Sequence, residues 1–305
     1  MLIGYLAGRF GVFGSANIGV LTQVTFVLFM PPLLFRAMAT IDMASLSLAS
    51  LYSYYSVALI VLAASVVVQI IAGLHPQTAM IRGLGAVFSN MAIIGIPIIQ
   101  LSFGSAGLAI LLPIIAIHAL ILLTISTLVI ESADRTKNAG GESGNSRPDY
   151  AAIIYQALKS AIIHPVVLPI LLGLLWGATH FKLPVVVDRT LALLGQAGVP
   201  ASLVLLGATL ASYGLRGNVL PALLMTSGKL LVLPALMYLV GRTVFDLAAL
   251  PLAVVTVAAA LPTGANVYLL SQRYDTQVAS VSATCALSTL GAVLTLSVLI
   301  PFFAK

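Results

Sequence analysis

Long apolar stretches, each about as long as a membrane-spanning helix, dominate the chain from residue 17 to its end. A helix that crosses roughly 30 Å of hydrocarbon needs about 20 mostly apolar residues. Nine stretches meet this requirement, and short interruptions with Gly, Pro, Asn or charged residues separate them. The predicted spans are 17–39, 52–73, 79–101, 105–130, 165–181, 190–212, 219–241, 248–272 and 277–303. The pattern predicts an all-α integral membrane protein.

The segment before these spans reads MLIGYLAGRFGVFG, and its apolar part is too short to cross a bilayer. It ends in Gly8, Arg9 and Phe10, much as a spanning helix ends at a membrane surface. A cleavable signal peptide would carry its positive charge before the apolar region and not after it. We therefore interpret this segment as the tail of a tenth helix, and we expect the beginning of that helix to be missing here.

One polar stretch, residues 131–150, contains four acidic and three basic residues and no large aliphatic side chain. Such a composition is typical of a solvated loop. The loop separates a first half, residues 1–130 with the partial helix 1 and helices 2–5, from a second half, residues 151–305. The second half is predicted to begin with an amphipathic helix on the membrane surface and to continue with helices 6–10. Because each half has five helices, the second half enters the membrane with the opposite orientation.

The basic residues predict which side of the membrane each loop faces. If loop 131–150 is cytoplasmic, eight Lys and Arg residues face the cytoplasm, four face outside and two lie within spans. This distribution fits the positive-inside rule. We expect a multi-pass protein of the cell inner (plasma) membrane.

Composition narrows the class further. Of 305 residues, 60% are hydrophobic and 7% are charged, whereas a soluble domain carries about 25% charged residues. The net charge of +6 comes from scattered basic residues, which argues against a nucleic-acid partner. A single cysteine, Cys285, and four dispersed histidines predict no metal site and no other cofactor. Hydrolase motifs such as HExxH and GxSxG are also absent from the sequence, so we expect no enzyme.

Two predicted spans contain helix-breaking residues near their centres. These residues are Asn90, Gly95 and Pro97 in the first half and Pro262, Thr263, Gly264 and Asn266 in the second. Proline removes a backbone donor and clashes with the preceding turn, so the first helix is expected to unwind near Gly95 to Pro97. Helices interrupted at corresponding positions of inverted repeats mark a transporter's substrate site, because half-helix N-termini bring free N–H groups to the midplane. The two interruptions therefore predict an anion site.

Three segments resemble a known family. NMAIIGIP is similar to the NxxxxGxP signature of the auxin efflux carrier family, which includes the plant PIN auxin exporters and bacterial permeases for malonate or other carboxylates. LPTGANVYLLSQRYDTQVASVSATCALSTL resembles the last two helices of that family, and VPASLVLLGATL resembles its seventh helix.

The resemblance implies ten helices in two inverted repeats of five, the fold of the bile-acid sodium symporters. In that fold, broken helices four and nine cross inside a transport domain, and helices one, two, six and seven form the scaffold and dimer face. The resemblance places Asn90 where the family has a carboxylate-binding asparagine. The alternative for Asn90 is a hydrogen bond that tethers two helices. Thr263 and Asn266 would bind the anion as well or form a local helix cap.

Two ionisable residues lie within predicted spans. Lys229 is near the centre of its span, where a charge costs about 2.5–3.5 kcal/mol. It would attract a carboxylate or stabilise one transport state, or it would snorkel or cap helix-end carbonyls. His118 would couple transport to protons or remain neutral and hydrogen-bonded.

Together these features predict a secondary transporter that moves small organic anions, malonate-like carboxylates among them, by an elevator-type alternating-access mechanism. We expect the lipid bilayer and a second copy of the chain, in a homodimer, as partners. The mid-membrane segments carry no carboxylate, which favours transport driven by the membrane potential. The alternatives are a receptor or channel for organic anions, and a sodium-coupled symporter of the bile-acid type.

Overall fold

The structure, a computed structural model, describes residues 2–10, 12, 15–41, 47–138, 150–212 and 219–303. These residues form fourteen α-helical segments. The helices are α1 (Leu2–Arg9), α2 (Ser15–Gln23), α3 (Met30–Ala39), α4 (Leu48–Ile71), α5 (Pro76–Val87), α6 (Ile96–Asn138), α7 (Tyr150–Ile163), α8 (Val167–Ala178), α9 (Val185–Ser212), α10 (Val219–Ser227), α11 (Leu233–Thr243), α12 (Ala249–Ala259), α13 (Ala265–Arg273) and α14 (Val278–Phe303). The prediction of an all-α membrane protein is confirmed.

Wide π-type turns join several of these segments into longer rods. They are Val24–Phe29 between α2 and α3, Met91–Gly95 before α6, and Gly228–Val232 between α10 and α11. With these turns included, six described helices are long and apolar enough to cross a membrane. The predicted spans 165–181 and 248–272 correspond to shorter apolar helices, α8 and α12.

Helix α6 differs from the prediction at both of its ends. It contains the predicted span 105–130. It bends at Gly104, whose φ of 62° and ψ of −156° are not helical. Only glycine adopts such a conformation without strain. The helix then continues to Asn138, so the predicted start of a loop at residue 131 is wrong by eight residues. Tyr274 stabilises this last part by donating a hydrogen bond of 2.9 Å to Glu131. Residues 139–149, the rest of the predicted loop, lie outside the described residues.

The helices pack in two groups. The first group contains α1, α3, α8 and α9, and α2 also packs on α9. The second contains α4, α5, α10, α11, α12, α13 and α14. Helix α6 contacts both groups: α4, α5 and α12 in the second, and α3, α8 and α9 in the first. It also contacts α7, which packs on α8 as well. The two interruptions of interest both lie in the second group.

Candidate functional site

Two non-helical segments meet in the second group of helices. Residues 88–90 separate α5 from the turn before α6, and residues 260–264 separate α12 from α13. The segments run antiparallel and pair at Ser89 and Thr263. The N–H of Asn90 donates to the carbonyl of Pro262 at 2.9 Å, and the N–H of Gly264 donates to the carbonyl of Phe88 at 3.0 Å. Backbone groups that leave a helix inside a membrane need partners, and here each segment supplies them to the other.

The side chains at the crossing repeat this exchange. Ser89 Oγ donates to the carbonyl of Ala258 at 2.8 Å, and Thr263 Oγ1 donates to the carbonyl of Gly85, also at 2.8 Å. Both carbonyls belong to the last turn of the opposite helix, where a helix lacks N–H donors of its own. Each interruption therefore caps the carboxyl end of the helix that precedes the other interruption.

Neighbouring helices complete the crossing. His118 Nε2 on α6 accepts the N–H of Ser89 at 3.2 Å, and Ser288 Oγ on α14 accepts the N–H of Thr263 at 3.0 Å. The hydroxyl of Tyr54 on α4 lies 3.2 Å from Ser89 Oγ. The His118 ring is buried with its centroid 4.5 Å from that of Phe88. Because Nε2 accepts a hydrogen bond, the imidazole is neutral and its proton is on Nδ1.

The first interruption lies earlier in the chain than the sequence predicted. Unwinding was expected near Gly95 to Pro97, but the extended residues are 88–90, and Gly95 ends the π-type turn. Pro97 is the second residue of α6. Proline is tolerated in the first turn of a helix, because its missing N–H would have no helical acceptor there. Pro97 therefore follows the break and does not mark its centre.

The two asparagines lie at the starts of the second half-helices, and both are half-buried. Asn90 Oδ1 accepts the N–H of Ile93 at 3.4 Å, which makes Asn90 a local cap. Asn266 is the second residue of α13, after the capping position at Gly264. Within the described part of the chain, the backbone N–H groups of Ala265 and Asn266 have no acceptor. The side-chain NH₂ groups of Asn90 and Asn266 have none there either. Each half-helix start thus offers free donors.

A cavity of about 450 Å³ borders the crossing. Ile94 and Pro262 line it beside the interruptions, Leu203 and Leu206 line it from α9, and α14 contributes residues that include Thr289. The cavity thus lies where α9 of the first group faces the second group. Its walls are mostly apolar, and its volume falls within the roughly 300–1,000 Å³ range of small-molecule sites. Asn90 and Asn266 are close along the chain to the lining residues Ile94 and Pro262, but neither asparagine lines the cavity.

Lys229 lies in the turn between α10 and α11 and is fully buried. Its Nζ donates a hydrogen bond to the carbonyl of Ala259, the last residue of α12. The side chain therefore does not snorkel to the membrane surface, and it caps a helix end at the crossing.

A second cavity of about 500 Å³ lies away from the crossing, at the ends of α3, α8 and α9. Arg36 and Asp188 line it and form an ion pair, with Nε 2.7 Å from Oδ1. None of the predicted site residues lines this cavity.

Comparison with known proteins assigns the family. A family model described as "Membrane transport protein" matches residues 1–300. The chain belongs to this family, the auxin efflux carrier family. The resemblance stated from the sequence motifs is therefore confirmed.

The chain is similar to two named proteins. The chain is 28% identical over 161 residues to a Rhizobium meliloti (strain 1021) protein named "Putative malonate transporter", an alignment that covers 51% of this chain and 48% of that protein. It is 25% identical over 237 residues to the Arabidopsis thaliana protein named "Auxin efflux carrier component 8", over 64% of this chain and 63% of the relative. The chain therefore aligns with about half to two thirds of each relative's own length.

Several residues that hold the crossing together escaped the sequence reasoning. Ser89 and Tyr54 take part in hydrogen bonds at the crossing, but serine and tyrosine are ordinary residues in membrane helices. One signal was available for Ser89, because it directly precedes Asn90 at a helix break. Tyr54 lies far along the chain from Ser89, and the sequence carries no sign of their contact.

Proposed function

We propose that this chain is a secondary transporter of small organic carboxylates that works by elevator-type alternating access. The observation that carries the proposal is the crossing of two interrupted helices beside a cavity between the two helix groups. Free N–H groups at the two half-helix starts suit a carboxylate, because the positive end of a helix dipole favours an anion. The family membership supports a transport role.

The hydrogen bonds at the crossing support an inverted repeat. Ser89 and Thr263 each donate a hydroxyl to the carboxyl end of the opposite helix, and each receives a partner for its N–H from another helix. Such reciprocity is expected when two halves of one chain are related by a twofold axis in the membrane plane. We infer that residues 1–130 and 151–305 are the two repeats, with the connection between them on the cytoplasmic side of the inner membrane.

The two helix groups suggest which parts move. The second group carries both interruptions and would be the transport domain, while the first group would be the scaffold and would hold the dimer contact. The cavity lies between them, so sliding of the transport domain along α9 would expose it to one side of the membrane and then to the other. A cross-link between the groups should stop this motion.

The cavity walls suggest which carboxylates fit. Only a few polar side chains, among them Thr289 and Ser297, line a space that is otherwise mostly apolar. Burying apolar surface contributes about 25 cal/mol per Å². We therefore expect carboxylates with an apolar body to bind more tightly than malonate, which has a single methylene group.

Counterflow in proteoliposomes tests the proposal. Purified protein is reconstituted, the vesicles are loaded with one carboxylate, and uptake of the labelled compound is followed for a panel of organic acids. A carrier accumulates label transiently, whereas a channel equilibrates it and a receptor binds it without flux. Failure of every tested carboxylate to show saturable counterflow would refute the proposal.

Asn90→Ala and Asn266→Ala test the binding residues. A hydrogen bond to a charged group contributes about 1.5–3 kcal/mol, so each variant should lose about 10- to 100-fold in affinity. Asn17→Ala is a matched control, because Asn17 is an exposed asparagine on α2, in the other group. Equal affinity of Asn90→Ala and Asn17→Ala would remove Asn90 from the site.

A cross-link tests the motion. In a Cys285→Ala background, cysteines at Leu203 on α9 and Val293 on α14 line the same cavity from the two groups. Joining them with a short bifunctional reagent should abolish counterflow. Variants that carry only one of the two introduced cysteines, treated with the same reagent, serve as controls. Full transport after complete cross-linking would exclude movement of one group past the other.

A further inference from the structure

The second cavity, where α3 and α8 end and α9 begins, carries an excess of positive charge. Arg36, Lys182 and Arg189 line it, and Asp188 is the acidic residue among the lining side chains. Asp188 is already engaged, because its two carboxylate oxygens accept hydrogen bonds from Arg36 Nε at 2.7 Å and Arg36 Nη2 at 3.2 Å. Within the described ranges, neither Lys182 nor Arg189 forms a salt bridge. The lining side chains thus leave two positive charges uncompensated.

The turn between α8 and α9 fixes the backbone that carries Lys182. His180 has a φ of 57°, in the left-handed region that often ends a helix. Thr179 Oγ1 donates to the carbonyl of Trp176 at 2.6 Å, and the indole N–H of Trp176 donates to the carbonyl of Phe181 at 3.0 Å. These bonds fold the turn back onto the end of α8. One wall of the cavity is therefore formed before any ligand arrives.

Two features place this cavity at the depth of lipid headgroups. Ala39 and Val185, which are ends of two candidate membrane spans, both line it. Trp176, the single tryptophan of the sequence, lies beside it, and tryptophan is enriched at membrane–water interfaces. Phe181 and Val185 are 73% and 66% exposed at the cavity. A soluble anion would leave these apolar side chains uncovered, whereas a phospholipid presents a phosphate and acyl chains together at this depth.

We propose that this cavity binds the phosphate of an anionic phospholipid. Lys182 and Arg189 donate charge-assisted hydrogen bonds to the phosphate oxygens, and Phe181 and Val185 contact the acyl chains. The positive end of the α9 dipole, at Val185, adds to the attraction. The bound lipid joins α3, α8 and α9, which belong to the group proposed as the scaffold. This site is separate from the crossing, so the proposal does not depend on the transport proposal.

Trp176 fluorescence tests the proposal in the whole chain, because this tryptophan lies beside the site and is the only one. Protein is reconstituted in phosphatidylcholine vesicles, and an increasing fraction of the lipid is replaced by phosphatidylglycerol with brominated acyl chains, which quench tryptophan on contact. Phosphatidylcholine with the same brominated chains is the matched lipid, since it has a phosphate but no net charge. Each Lys or Arg near a membrane surface contributes about 1 kcal/mol, or about fivefold in affinity. Phosphatidylglycerol should therefore reach half-maximal quenching at a mole fraction about 5- to 25-fold lower than phosphatidylcholine.

Two substitutions test the proposed phosphate ligands. A protein with Lys182→Gln and Arg189→Gln keeps polar side chains at both positions and loses both charges, so quenching by the two brominated lipids should become nearly equal. Arg242→Gln is a matched control, because Arg242 is an exposed arginine on α11, is predicted to face the same side of the membrane and does not line the cavity. This control should keep the preference for phosphatidylglycerol.

A headgroup without acyl chains separates a lipid site from a site for a soluble anion. Glycerol 3-phosphate added to the vesicles should not relieve the quenching by phosphatidylglycerol. Relief would overturn the lipid assignment, because the cavity would then bind soluble phosphates. Equal quenching of the wild-type protein by the two lipids would also overturn it, as would an unchanged preference in the doubly substituted protein. If the doubly substituted protein does not fold, the comparison of the two lipids with wild-type protein still decides.

Discussion

Replacing Ser89 with alanine should destabilise the crossing by an amount that the structure allows us to work out. Ser89 Oγ makes two buried contacts, a 2.8 Å hydrogen bond to the carbonyl of Ala258 and a 3.2 Å contact with the hydroxyl of Tyr54. Both Ser89 and Tyr54 are almost completely buried. Because Pro262 cannot donate to Ala258, no backbone N–H can take over when the hydroxyl is removed.

The expected loss follows from the two groups left without a partner. An unsatisfied buried donor or acceptor costs about 1–3 kcal/mol, so we expect Ser89→Ala to lose about 3 kcal/mol in total. The unfolding entropy is about 2.1 cal/mol/K per residue, so each kcal/mol lowers the melting temperature of a chain of 305 residues by about 1.6 °C. A decrease of about 5 °C is the expected result. Transport should fall with it, because the same bonds hold the two interruptions together.

Thermal unfolding of the purified protein in detergent, followed by size-exclusion fluorescence, measures this change. Ser126→Ala is a matched control, because Ser126 is also fully buried and its Oγ donates to the carbonyl of Leu122 within α6. That carbonyl already has its helical partner, so the control should lose less than about 1 kcal/mol. A Ser89→Ala protein that melts no lower than Ser126→Ala would refute the assigned role of the hydroxyl.

Two further changes probe the close packing at the crossing and the end of α6. A Cβ atom on Gly264 would lie 2.8 Å from a ring carbon of Phe88, so Gly264→Ala should abolish counterflow, whereas Gly19→Ala, with open space around it, should not. Burial and the hydrogen bond to Glu131 raise the pKa of Tyr274 from 10.0 to about 12. The folded state therefore holds this proton more tightly than the unfolded state, so the stability that it contributes is present below pH 10 and is lost as pH rises towards 12. Melting curves from pH 8 to 12 should show a smaller alkaline loss in Tyr274→Phe, and equal losses would contradict the assignment.

The break in the first half illustrates the limit of sequence reasoning. Asn90 and Pro97 indicated an interruption in the correct span, because neither residue favours a helix interior. Their order along the chain did not indicate its centre. Proline is a breaker inside a helix and an acceptable residue in its first turn, so its effect depends on where the helix begins. The partners of Ser89 on other helices determine that position.

Lys229 shows the same limit for a charged residue. Its position in a hydrophobic span required some compensation, but the sequence allowed a carboxylate substrate, a membrane surface or a helix end. The structure places it against the carbonyl of Ala259, thirty residues further along the chain. Contacts at that separation depend on how helices pack, and a single sequence contains no record of the packing.

By itself, the sequence determined the membrane environment, the all-α class, the approximate spans and the presence of two helix breaks. These properties follow from hydrophobicity and backbone chemistry, which act within one segment at a time. Only the tertiary structure decided that the breaks pair with each other and that His118 and Ser288 accept hydrogen bonds from their backbone. It also decided that a cavity lies between two helix groups. Backbone groups released in the membrane must find partners, and only folding brings those partners within hydrogen-bond distance.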